Sequence, residues 1–164
     1  MTELRKKGCQ SVLDYGAGGG HTTLLAYALG FRSVFHHEFK IFHPFVQWRA
    51  QRMAANDNFP QPPDFIFSAA EQPMPHNNIV DGAICTDVVE HVPDPNILLD
   101  QLRNALTNGG YLMWVATFIE AISCHINIHY AGHEEELLNR HGFHRIEDFP
   151  VHYNGHTGIY QLRK

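Results

Sequence analysis

Residues 12–20 read Val12-Leu13-Asp14-Tyr15-Gly16-Ala17-Gly18-Gly19-Gly20, a short apolar run that passes straight into glycines. The run suits a buried strand, and the residues after it predict a helix opening at about Thr22. Gly16, Gly18 and Gly20 lack a β-carbon, so the chain can turn sharply and a ligand can lie against bare peptide groups. A helix amino terminus just beyond such a turn favours an anion, either a carboxylate or a phosphate. Asp14, two residues ahead of the first glycine, narrows a pattern that several nucleotide-binding families share.

Outward from this stretch, strand-like and helix-like segments alternate, which predicts a parallel α/β sheet. Ser11 to Tyr15 reads as the first strand, and Thr22 to Leu29 as a helix that faces the core through Leu24, Leu25, Ala28 and Leu29. Ser33 to His37 forms the second strand and ends at Glu38; Pro44 then opens a helix running to about Ala55. Residues 56–63 make a loop, Phe65 to Ser68 a third strand and Asp81 to Thr86 a fourth. From Pro95 a helix presents Ile97, Leu98, Leu102 and Leu106 as its buried stripe, and Asn108-Gly109-Gly110 turns the chain into a fifth strand, Tyr111 to Thr117. Glu134 to Arg140 is a short helix, and Arg145 to Phe149 with Ile159 to Leu162 predict a closing hairpin. The expected fold is a Rossmann-like, doubly wound, mostly parallel seven-stranded sheet with an antiparallel carboxy-terminal hairpin and helices on both faces. The whole of 1–164 is expected to be one domain.

Composition sets limits on partners. Apolar residues make up 44 % of the 164 and charged residues 18 %, which suits a globular core. The net charge is −5 and the only basic cluster is Arg5-Lys6-Lys7, which argues against nucleic acid as a partner. No stretch is apolar for long enough to span a bilayer. Three widely spaced cysteines do not form a zinc ribbon; Cys85 and Cys124 are read as small buried hydrophobes, and a reducing cytoplasm is the expected location.

Taken together, the motifs resemble the class I S-adenosylmethionine-dependent methyltransferases across nearly the whole chain. Asp14-x-Gly16-x-Gly18-x-Gly20 is similar to that family's first motif, and Glu38 falls where the family places an acid at the end of its second strand. Asp81, Pro93-Asp94-Pro95 and Asn108-Gly109-Gly110 follow in matching order. The resemblance implies S-adenosylmethionine as cofactor, with Gly16 and Gly18 against its methionine part and Glu38 on the ribose hydroxyls. It also implies that Asp14 either orders the loop or meets the cofactor's amino group through water, with Gly20 completing the turn. An acid often follows the third strand of the family to bind adenine, but Ala69 stands there; adenine would then rest near the backbone of Ala70, on Glu71, or by stacking.

Asp87-Val88-Val89-Glu90-His91, after the fourth strand, resembles the Glu-x-x-Glu-His motif of ubiquinone-pathway O-methyltransferases and small-RNA 3′-end methyltransferases. In those families the two carboxylates and the imidazole hold a divalent metal beside the methyl group. The resemblance implies Asp87, Glu90 and His91 as ligands for Mg²⁺, Mn²⁺ or another first-row ion, with Asp87 also near the cofactor. The alternative is that Asp87 and Glu90 only begin a surface turn, which His91 packs against or caps; as a catalytic residue, either His91 itself or the metal would promote deprotonation of the acceptor.

His125, His129 and His133 are spaced four apart, but Gly132 and the alternation around Ile126 and Ile128 favour an extended segment. His125 is a candidate base or ligand on the acceptor side. Phe39, Phe42, Phe45 and Trp48 are read as core or dimer contacts. The helices that usually precede the first strand are nearly absent, which leaves three readings: a large acceptor covers the site, a second copy or partner subunit does, or the chain is a trimmed domain. The expected reaction is O-methylation of a small hydroxylated acceptor; a metal-dependent RNA 3′-end ribose methyltransferase and a catalytically idle scaffold subunit are the alternatives.

Overall fold

A computed structural model describes residues 1–72, 74, 77–118, 122–148 and 156–164. The element order is α1 (Thr2–Lys6), β1 (Ser11–Tyr15), α2 (His21–Ala28), β2 (Ser33–Glu38), α3 (His43–Ala54), β3 (Asp64–Ala69), β4 (Val80–Thr86), α4 (Pro95–Ala105), β5 (Leu106–Ala116), α5 (Glu134–Arg140), β6 (Phe143–Asp148) and β7 (His156–Leu162). Three short 3₁₀ turns lie at Lys40–Phe42, Val89–His91 and Ile128–Tyr130. The seven strands form one sheet in the order β3-β2-β1-β4-β5-β7-β6. Strands β1 to β5 pair parallel, while β7 runs antiparallel between β5 and β6. This is the Rossmann-like sheet expected from the alternation of segments.

The order reverses between β1 and β4, so the chain leaves their carboxyl ends in opposite directions and opens a crevice there. Alternate residues of each strand go to opposite faces. Leu13, Phe35, Ala83, Cys85, Leu112 and Trp114 meet Leu98, Leu99 and Leu102 of α4 and Leu137 and Leu138 of α5 on one face. Val12, Val34 and Ile84 meet Leu4 of α1, Ala26 of α2 and Phe31 on the other. Asp81 clamps the start of β1: one of its carboxylate oxygens accepts from the backbone N–H groups of Gln10 at 2.9 Å and Ser11 at 3.1 Å, and from the Ser11 hydroxyl at 3.0 Å.

Several expectations are corrected by packing. The helix begins at Pro95 as expected, but Ile97 is 59 % exposed, and the face of α4 that packs on the sheet runs through Leu98, Leu99, Leu102 and Ala105. On α2, Leu25 and Ala28 are exposed while Thr23, Leu24, Ala26 and Tyr27 are buried. Residues 107–110 are not a turn ahead of β5 but a bulge inside it: Val80 pairs with Leu106, and Gly82 already with Tyr111. The aromatic row is not core. Only Val46 and Ala50 of α3 are buried, while Phe39, Phe42, Phe45 and Trp48 are exposed, with Arg49 over Phe45 and Arg52 over Trp48. Cys85 is buried as expected, but Cys124 is exposed, and all three cysteines are free. Phe149, placed in the closing hairpin by sequence, lies outside the described residues.

Beneath the glycine turn lies a buried polar cluster. The Thr23 hydroxyl of α2 sits 2.6 Å from a carboxylate oxygen of Asp14 and 2.9 Å from Nδ1 of His36. One hydroxyl proton cannot serve both. If Thr23 donates to the carboxylate, His36 must donate through Nδ1–H, which leaves Nε2 as a bare lone pair. Nε2 is indeed buried with no hydrogen-bond partner among the described residues, and the His36 ring lies beside those of His43 and Phe67. Thr23→Val keeps the shape and removes the hydroxyl, stranding both groups. We expect it to lower stability by about 1–3 kcal/mol, read as a fall in the urea midpoint, with part recovered in Thr23→Val combined with Asp14→Asn.

Candidate active site

A cleft of about 470 Å³ opens at the carboxyl ends of β1, β2 and β4. Its walls include Tyr15, Gly16, His37, Glu38, Ala70, Asp87 and His91. Of the sequence-predicted residues, Gly16, Glu38, Ala70, Asp87 and His91 meet in these walls. The volume suits a small-molecule site with a few polar groups among apolar walls.

Gly16 and Gly20 need to be glycine for separate reasons. Gly16 has φ +69° and lies so close to Val88 that a β-carbon would overlap its side chain. Gly20 has φ +73°, and a β-carbon there would come within 2.7 Å of Val46. Gly18 donates its N–H to one oxygen of Glu38 at 2.7 Å, and the other oxygen accepts from the N–H of Phe39 at 2.7 Å. Glu38 is therefore held in place by two backbone N–H groups, and its oxygens keep further acceptor positions toward the cleft.

Asp14 goes elsewhere. It is buried beneath the loop, on Thr23, and does not line the cleft. That geometry matches the loop-ordering role rather than ligand contact. Glu71 is likewise drawn aside, receiving the backbone N–H of Lys40 at 3.2 Å and thereby tying the chain after β3 to the chain after β2. Ala70 sits at the cleft and donates its N–H to the Glu38 carbonyl at 3.0 Å.

The Asp87-to-His91 segment begins with Asp87 at φ +53°, an uncommon backbone for a residue with a side chain. The two carboxylates converge on Thr117 at the end of β5. Asp87 accepts from its hydroxyl at 3.1 Å and Glu90 from its N–H at 3.2 Å. Glu90 is fully buried, its second oxygen has no hydrogen-bond partner among the described residues, and burial pushes its carboxyl up from the ordinary value. His91 turns away from both, placing Nδ1 3.1 Å from the carbonyl of Cys124 and its ring 4.8 Å from that of His125. Asp87, Glu90 and His91 therefore do not gather as the ligands of one ion. Among the described residues, the one trio of His, Cys, Asp and Glu whose ligand atoms all lie within 4.8 Å of one another is His91, Cys124 and His125. No step through a metal held by Asp87 and Glu90 follows from this geometry.

His125, His129 and His133 do not share a helix face. His125 closes a turn onto Ile122, the His129 ring lies tilted beside that of Tyr130 with centroids 4.2 Å apart, and His133 precedes α5. Four contributors were missed in the sequence. Tyr15, His37 and Ser68 are register partners at neighbouring strand ends; His37 Nδ1 lies 2.9 Å from the Ser68 hydroxyl, and its ring sits 4.7 Å from that of Tyr15. The fourth is Thr117, which follows β5 and meets both carboxylates because β5 lies beside β4. A strand-end position is the only signal the sequence carries for any of them.

Two buried groups below the cleft titrate in opposite senses. Burial pushes the Asp14 carboxyl up to about 6 and pushes the His36 imidazole down to about 4. Folded Asp14 keeps its proton longer than the unfolded chain does, so its contribution to stability falls as pH rises from about 4 to about 6. Folded His36 refuses a proton that the unfolded chain accepts, so its contribution grows over the same interval. In the wild type the two slopes oppose each other. In Asp14→Asn only the His36 slope remains, and urea unfolding at a series of pH values should show stability rising more steeply from pH 4 to 6 than in the wild type.

A family model described as a methyltransferase domain matches residues 2–163. The structure is similar to a 1,6-didemethyltoxoflavin N1-methyltransferase from Burkholderia thailandensis, solved with its acceptor and S-adenosylhomocysteine (TM-score 0.73, 17 % identity, 99 % of this chain and 76 % of that one). It is also similar to a SAM-dependent methyltransferase from Methanosarcina mazei (TM-score 0.67, 18 % identity, 93 % and 92 %). A third similar structure is the [4+2]-cyclase SpnF (TM-score 0.66, 16 % identity, 84 % and 53 %). These likenesses concern the fold. No curated protein matches the chain by sequence. No helix among the described residues is long and apolar enough to cross a membrane.

Proposed function

Because this chain belongs to the methyltransferase-domain family, we propose that it carries a methyl group from S-adenosylmethionine to the oxygen of a small hydroxylated acceptor. The observation that carries the finer reading is the placement of His91. Its Nδ1 faces a backbone carbonyl, which fixes the proton there and leaves Nε2 as a base. The same imidazole shares the cleft with Gly16 and Glu38.

In this reading the ribose hydroxyls donate to Glu38, which the N–H groups of Gly18 and Phe39 hold in place. The bare peptide groups around Gly16 lie along the methionine part, and Ala70 lies on the adenine side. The acceptor oxygen attacks the methyl carbon while its proton passes to Nε2 of His91. The carbon–sulfur bond breaks, and its electron pair stays on sulfur, giving the neutral thioether S-adenosylhomocysteine. The sulfonium is already an activated leaving group, so alignment of oxygen, carbon and sulfur is most of what the protein must supply. The negative net charge and the lack of a basic stretch beyond Arg5-Lys6-Lys7 support a small acceptor over RNA.

Calorimetric titration with S-adenosylhomocysteine tests the cofactor half. Glu38→Ala should weaken binding by at least about tenfold, since it removes a charged hydrogen-bond acceptor worth about 1.5–3 kcal/mol. Turnover on a panel of small phenols and hydroxy acids tests the other half. His91→Ala should lower kcat by about 10²–10⁴ while leaving S-adenosylhomocysteine affinity unchanged. Equal turnover in wild type and His91→Ala would remove His91 as the base, and absence of cofactor binding would favour the idle subunit.

A further inference from the structure

The segment after β5 is fastened to the turn after β4 by a set of hydrogen bonds that the methyl-transfer chemistry does not require. Ile126 donates its N–H to the carbonyl of Glu90 at 2.8 Å. The buried side-chain amide of Asn127 donates to the carbonyl of Val89 at 2.9 Å and also to that of Val92. Residues 122–125 close a turn of their own, with the N–H of His125 3.0 Å from the carbonyl of Ile122. Together these bonds hold Cys124 and His125 against His91, with the two imidazole rings 4.8 Å apart and nearly perpendicular.

We propose that His91, Cys124 and His125 form a binding site for a single nitrogen- and sulfur-seeking cation, of which Zn²⁺ is the natural occupant. Three arguments support it. The donor set is one thiol and two imidazoles, the mixture that Zn²⁺ prefers and that Mg²⁺ and Ca²⁺ do not. The three ligand atoms already lie within 4.8 Å of one another, while ligands on a tetrahedral zinc stand about 3.5 Å apart. His91 and Cys124 are exposed, so their side chains have room to close that difference. Finally, Nδ1 of His91 faces the carbonyl of Cys124, the outer partner that a metal-bound imidazole characteristically has. With Nδ1 donating to that carbonyl, Nε2 is the nitrogen left to take an ion.

The site is distinct in chemistry and residues from a Mg²⁺-type site on Asp87 and Glu90, whose carboxylates are held by Thr117. Three protein ligands leave a fourth position for water or another donor. Because His91 lines the cleft, an ion bound here would use the lone pair that otherwise accepts an acceptor's proton. Metal loading and base catalysis through His91 are therefore mutually exclusive. The proposal does not rest on the methyl-transfer reading, since the ligands and their fastening are independent of the cofactor.

The test uses the full chain, stripped with a chelator and titrated with Co²⁺ and Zn²⁺. Co²⁺ should give intense visible bands of a tetrahedral ion together with a near-ultraviolet thiolate-to-cobalt band, at one ion per chain. Cys124→Ser should abolish the thiolate band. His125→Ala should weaken Zn²⁺ binding, measured against a chromophoric chelator, by more than the roughly 10–100-fold that loss of an outer-shell partner costs. Circular dichroism on each variant separates loss of ligand from loss of fold. A thiolate band that survives Cys124→Ser would place the ion on another cysteine and overturn the assignment. Equal Zn²⁺ affinity in wild type and in the Cys124→Ser, His125→Ala double variant would overturn the site altogether. S-adenosylhomocysteine binding, titrated on the same samples, reports on the cofactor reading separately.

Discussion

Gly16 presses its α-carbon against the side chain of Val88, and there is no room for a β-carbon between them. This contact joins the turn after β1 to the turn after β4, which the reversed strand order places side by side. Everything at the cleft is arranged around it. From Gly16 the chain is held by the His37 carbonyl, which accepts its N–H at 3.0 Å, and then reaches Gly18, whose N–H meets Glu38. On the other side Val88 lies between Asp87 and the 3₁₀ turn that carries Glu90 and His91. A larger residue at position 16 would wedge the two loops apart and separate the acid from the imidazole.

The two faces of the sheet divide the polar residues at its carboxyl edge into different tasks. Asp14 and His36 are register partners and share the side on which α2 packs, where Thr23 joins them in a closed, water-excluding cluster. Tyr15 and His37 are the next residues along the same strands and turn to the other side, at the cleft, where His37 meets the Ser68 hydroxyl of β3. A shift of one residue in any strand would exchange the two sets. The cluster with Thr23 therefore fixes the first turn of α2 and, through Asp14, the strand that feeds the glycine turn.

The Glu90 region shows how a motif can keep its letters and change its use. Its carboxylate closes the end of β5 through the N–H of Thr117, and its backbone carbonyl receives Ile126. With the acid buried, the imidazole next to it is free to meet a different set of neighbours, a thiol and a second imidazole brought from about thirty-five residues downstream. The same turn serves as a hinge point for two segments that are remote in sequence.

Much of this was legible in the chain itself. Strand–glycine–helix order, the acid at the end of β2 and the alternation of short apolar runs determined the fold class, because period and turn chemistry are local properties. Pro95 after Asp94 marked the start of α4 for the same reason. What only tertiary structure decided were matters of which face and which neighbour. Local periodicity could not show that Ile97 faces outward, that the aromatic row from Phe39 to Trp48 has no core to enter, or that Asn108-Gly109-Gly110 is a bulge. Each of these depends on the phase of one element against another. Nor could spacing separate Glu90 from His91. Adjacent residues on a tight turn point to different surroundings, and those surroundings, Thr117 for one and Cys124 with His125 for the other, are set by where β5 and the segment after it lie in space.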